Sequence, residues 1–179
     1  MRRVRYSVAM SLDAYIAGPN GEYDWIVADP TIDFAAFFET IDTVLMGRGT
    51  FEIALKQGSG GSMPGKRTYV FSRSLRSENY PDVTIVAGDP ASTVAELREE
   101  GGKDIWLMGG GVLFRSLLAA GVVDTVEVGI VPVLLGGGIP LLPDLLDAVH
   151  LGLAKAETFP SGIVLLKYEV RRDEGRHSS

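Results

Sequence analysis

A chain of 179 residues with 46% hydrophobic and 22% charged residues has the size and balance of one globular domain, able to bury roughly 70% of its unfolded surface without a metal or disulfide staple. The net charge of −6 leaves no basic stripe for long nucleic acid, and no apolar run approaches the roughly 18 residues of a membrane span. Cysteine is absent, which excludes a disulfide framework, a thiolate nucleophile and a thiolate-bound metal; with two histidines, one of them (His177) in a polar tail, no metal site is expected.

Val4, Tyr6, Val8 and Met10 alternate with polar or small residues, so the start is read as a strand rather than a signal sequence. Ser11 to Trp25 carries Gly-Pro-Asn-Gly at its centre, predicting a loop over the strand's carboxyl end. Asp33 stands as the N-cap or first-turn acid of a short helix whose apolar stripe is Phe34, Phe37, Phe38 and Ile41. Thr43 to Met46 is a second strand and Gly49 to Lys56 a second short helix. Gln57 to Gly65 is a flexible loop, followed by strands at Thr68 to Ser72 and Val83 to Ala87. Pro90 opens a helix that Gly101-Gly102 stops. A strand at Ile105 to Met108 ends in Gly109-Gly110-Gly111, and a helix follows from Val112 to Ala120. Asp124 to Val131 is a strand, PVLLGGGIPLLP a loop, and two strands around Pro160-Ser161-Gly162 form a closing hairpin. Residues 172–179 are expected to be a disordered tail. No linker or repeat divides the chain, so a single domain over residues 1–171 is expected.

Strands alternating with short helices predict an α/β fold: a mostly parallel central sheet with helices on both faces and an antiparallel C-terminal hairpin. In such sheets ligands lie beyond the carboxyl ends of the strands. That rule gathers the first long loop, the Gly-Arg-Gly turn at 47–49, the Ser72-Arg73 turn and the triple glycine on one rim. Helix N-termini begin at two of these turns, and each offers unpaired N–H groups and the positive end of a dipole to phosphate. Either glycine turn alone is better explained as a tight turn; together, with an arginine inside one of them, they point to a dinucleotide. Arg48, with Ser72 and Arg73, has the chemistry to grip a monophosphate such as a ribose 2′-phosphate, although two solvated arginines are the competing explanation. Gly60, Gly65 and Lys66 mimic a phosphate loop, but Arg67 stands where a magnesium-binding hydroxyl belongs and a strand follows. Gly109-x-Gly111 begins like a Rossmann fingerprint, but Phe114 occupies its third glycine.

SVAMSLDAYIAGPNG, TVLMGRGTFE, IWLMGGGVLFRSLL and PVLLGGGIPL, in this order, resemble the dihydrofolate reductase fold and, more closely, its bacterial relatives of the riboflavin-biosynthesis reductase C-terminal domain family, over roughly Val4 to Val170. The resemblance implies NADPH as cofactor. Ala9 and Ile16 would line the nicotinamide site, with the loop from Ala17 to Tyr23 closing over it. Gly47, Arg48 and Thr50 would meet the pyrophosphate and 2′-phosphate side, and Ser72 and Arg73 the adenosine end. Gly109, Gly110, Gly111, Val112 and Leu113 would cradle the pyrophosphate, with the Gly109–Gly110 peptide expected cis. Folate-reducing relatives place one acid early in the first helix; Asp33 is the match here, with Asp29 behind it, and a plain helix cap is the competing role for Asp33. Gly49 and Val112 depart from the folate-reducing pattern, so dihydrofolate is not the expected substrate.

The reaction implied is hydride transfer to a small heterocyclic or carbonyl compound, with the proton from Asp33 or from water it orders. Phe37, Met108 and Phe114 are expected to wall the substrate site, and Phe38 to be core. A ribosylaminopyrimidine reductase of riboflavin synthesis, a non-catalytic NADP(H)-binding protein and a structural dimer module with a degraded site are the alternatives. The expected protein is a soluble cytoplasmic homodimer acting on a small molecule, with neither nucleic acid nor membrane as a partner.

Overall fold

The computed structural model describes residues 1–58, 60–144 and 147–172; of the expected tail, all but Arg172 lies outside the described residues. In chain order the elements are β1 (Val4–Ser11), β2 (Tyr15–Ala17), α1 (Phe34–Glu39), β3 (Ile41–Gly47), α2 (Arg48–Lys56), β4 (Arg67–Phe71), β5 (Thr84–Val86), α3 (Pro90–Glu99), β6 (Asp104–Gly109), α4 (Gly111–Ala119), β7 (Thr125–Val131), β8 (Ile139–Pro140), β9 (Leu151–Thr158) and β10 (Val164–Val170). Eight strands make one sheet in the order β5-β4-β3-β6-β1-β7-β10-β9. Neighbours from β5 to β7 run parallel; β10 pairs antiparallel to both β7 and β9, as the closing hairpin predicts.

Alternation along the strands splits the apolar residues between two cores. On β3, Leu45 joins Leu113, Phe114 and Leu117 of α4 and Val94 and Leu97 of α3 on one face. Val44 and Met46 join Phe51 of α2 on the other, with Trp106 and Met108 of β6 packed against them. Helices therefore cover both faces, because successive side chains of a buried strand point to opposite sides.

The sequence reading departs from the structure in three places. Ile41 is not on the helical stripe: α1 stops at Glu39, and Ile41 opens β3, almost wholly buried. Both long loops contain a short strand, and β2 pairs with β8 through Tyr15 opposite Pro140 and Ala17 opposite Ile139. Strands of two or three residues are too short to leave an alternation signal. Finally, the expected cis bond at Gly109–Gly110 is absent, all described peptide bonds being trans. The chain turns instead at Gly110, whose φ of 96° is open to glycine at little cost.

Candidate functional site

The carboxyl ends of three adjacent strands build the site. Met46 of β3 pairs with Gly109 of β6, and Gly47 of β3 pairs with Phe71 of β4, so the turns that follow all open at one rim. Two helices start there side by side. A Cβ added at Gly110 would lie 3.8 Å from the Gly47 nitrogen and 3.7 Å from the Thr50 hydroxyl oxygen. The two starts share a further property. Asp33 caps α1 by accepting from the Ala36 amide, and Asp89 caps α3 by accepting from the Ser92 amide, whereas Gly47 before α2 and Gly110 before α4 supply no side-chain cap. Among the described residues, the first N–H groups of α2 and α4 thus have no N-cap side chain as acceptor, where dipole and geometry favour an anion.

A cleft of about 1430 Å³ runs from these helix starts across the face of the sheet and beneath α1. Ala9, Ile16, Gly47, Arg48, Thr50, Ser72, Arg73, Gly109, Gly110, Gly111, Val112 and Leu113 all line it, as do Asp33, Phe37 and Met108. Phe114 does not. It is buried in the opposite core, stacked on Tyr6 at 3.7 Å between ring centroids, because α4 turns that residue away from the rim. Phe38 corrects the reading the other way: half-buried, it lines the cleft with Phe37, and both rings meet Trp106.

The polar groups show what each is free to do. Arg48, half-exposed, donates from Nη1 to Ser74 Oγ at 3.0 Å, and its Nε lies 3.3 Å from Glu52 Oε1 one turn along α2. Ser74 was not foreseen; the signal available was the second serine of Ser72-Arg73-Ser74. Ser72 Oγ accepts from the amides of Ser74 and Leu75, so it shapes the turn. Asp33 is exposed and lines the cleft, with Oδ1 accepting from the Ala36 amide. Asp29 is not a cleft group: its carboxylate accepts from Thr31 and from the Ser161 amide, and those bonds, Ser161 first, hold it well below the usual carboxylate range. The loop from Ala17 to Tyr23 is folded down, since a Cβ on Gly21 would lie 2.6 Å from Ile53 of α2.

Glu127, which the sequence reading missed, lies in the deep end of the cleft. Burial pushes its carboxyl up, but hydrogen bonds and charge from Arg5, and then the charge of Lys167, outweigh this and hold it below the ordinary value. Only the alternation of β7, placing Glu127 two residues before Gly129 on one face, pointed to it.

The model of the RibD C-terminal domain matches residues 2–165. The uncharacterized protein YyaP of Bacillus subtilis (strain 168) is 34% identical over 178 residues, covering 93% of this chain and 94% of its own. A putative riboflavin biosynthesis protein from Shewanella sp. PV-4 superposes with a TM-score of 0.82 at 27% identity, covering 96% of this chain and all of that one. A dihydrofolate reductase from Enterococcus faecalis, complexed with NADP(H) and RAB-propyl, superposes with a TM-score of 0.66 at 20% identity, covering 95% and 97%. Sequence and architecture together make this chain a member of the RibD C-terminal domain family, with the dihydrofolate reductase-like fold.

Proposed function

We propose that this protein is an NADPH-dependent reductase that transfers hydride to a small heterocyclic or carbonyl substrate. The observation that carries the reading is the pair of adjacent, side-chain-uncapped helix starts at Gly47 and Gly110, opening into a cleft whose other end is apolar and aromatic. The amides of α2 and α4 would receive the two phosphates of a dinucleotide, and Arg48 would leave Glu52 for a 2′-phosphate, exchanging an exposed ion pair worth little for a charge-assisted bond. Bound NADPH would supply the hydride. The chain's part is to orient and to dry the site: Ala9 and Ile16 flank the nicotinamide position, and Phe37, Met108 and Trp106 exclude water beside it. Asp33, with one oxygen spent on the helix cap, would deliver the proton through the other or through a water that it orders.

The test is thermal unfolding with NADPH and with NADH. NADPH should raise the melting temperature well above NADH; equal effects would remove the phosphate role of Arg48, and no effect of either would remove the reductase reading.

A further inference from the structure

We propose that Glu127 positions the substrate at the deep end of the cleft, accepting N–H donors from a flat, neutral or cationic ring in preference to an anionic one. This rests on the reductase reading for where the reacting carbon lies. On β1, Ala9 belongs to the nicotinamide end; Ser7, the next residue inward on the same face, pairs in register with Glu127 of β7. The substrate therefore meets the level of Ser7 and Glu127 once the level of Ala9 and Gly129 is filled. Across from it stand Phe37 and Trp106, edge to face at 5.4 Å, an aromatic wall for a planar ring.

The carboxylate is held in place yet incompletely used. Oε1 accepts from Arg5 Nε at 2.9 Å and Thr125 Oγ1 at 3.1 Å, and lies 3.4 Å from Lys167 Nζ. Oε2 accepts, among the described residues, only from Arg5 Nη2 at 2.9 Å. A carboxylate offers about four acceptor sites, so Oε2 keeps one open. Arg5 is committed: it also donates to Thr40 and Asp104, and its guanidinium lies 4.8 Å over the Phe37 ring. Arg5 is spent on these acceptors and Lys167 Nζ sits at Oε1, so the open site on Oε2 is completed by an N–H donor. Because Glu127 is buried, the open acceptor site on Oε2 is presented away from water, which favours a ligand that donates over one that can only accept.

The probes are benzamidine, benzamide and benzoate: one flat ring with a cationic donor, a neutral donor or an anion. Their binding to the whole protein is measured by calorimetry with and without NADPH, beside the melting shift that NADPH gives alone. Benzamidine should bind at least about tenfold more tightly than benzoate, with benzamide between them. Glu127→Gln should bring that ratio below about threefold while leaving the NADPH shift unchanged. Glu127→Asp, which keeps the charge one methylene further back, serves if the glutamine variant does not fold, and should reduce the ratio in the same direction. Equal binding of the three probes, no binding of any, or an unchanged ratio in the variants overturns the role of Glu127. A missing NADPH shift with the probe preference intact overturns the reductase reading and not this one.

Discussion

Arg48 stands at the first position of α2, half-exposed, sharing its guanidinium between Glu52 and Ser74. A pair of that exposure contributes little to folding, so its removal should hardly change stability. Arg48→Ala is expected to leave the melting temperature of the free protein nearly unchanged and to weaken NADPH by about 10- to 100-fold, with little loss for NADH. Equal losses for the two cofactors would return the arginine to a structural role. Asp33 permits a similar separation. Asparagine caps a helix about as well as aspartate, so Asp33→Asn should keep α1 and the melting temperature while lowering turnover by about 10²- to 10⁴-fold on any accepted substrate. Unchanged turnover would leave Asp33 as a cap alone.

Between residues and fold lies the strap from Tyr23 to Ile32, which joins the first loop to α1 beside the cleft. Asp29 fastens it to the turn of the β9–β10 hairpin through the Ser161 amide. With its folded pKa depressed, Asp29 contributes stability that is fully present above its unfolded value near 4 and lost as the pH falls through the lower folded one. The melting-temperature gap between wild type and Asp29→Asn should therefore be widest at neutral pH and shrink under acid, a profile that thermal scans across pH would trace. An element with no exposed margin behaves differently. Phe51 anchors α2 on β3 and β4, wholly buried and 5.0 Å from the Tyr80 ring. Phe51→Ala should cost about 3–5 kcal/mol in urea unfolding and loosen the Gly47 helix start with it.

Across the whole molecule, binding and folding are linked. If the cleft takes NADPH, a hundredfold excess over its Kd adds about 2.7 kcal/mol, which for a domain of this size raises the melting temperature by about 5–10 °C. A low Kd would need both helix starts at once, one for each phosphate. That is why the cleft is a property of the sheet order, which sets β3 between β4 and β6 and so brings two distant turns together.

The sequence by itself determined the strand and helix succession, the parallel sheet with its antiparallel hairpin, and the turn residues of the rim. Those features rest on local period and on glycine at sharp turns, both visible along a chain. It did not reveal which way Phe114 faced, that Phe38 belongs to the cleft, or that Glu127 floors it. Each is an outcome of register: Phe114 is drawn to Tyr6, Phe38 to Trp106, and Glu127 to Arg5 on the neighbouring strand. The paired short strands β2 and β8 were hidden because two or three residues leave no alternation to read. Tertiary contacts between residues far apart in sequence decide the placement of Phe114, Phe38 and Glu127; local alternation narrows a strand residue to a face but does not choose its partners.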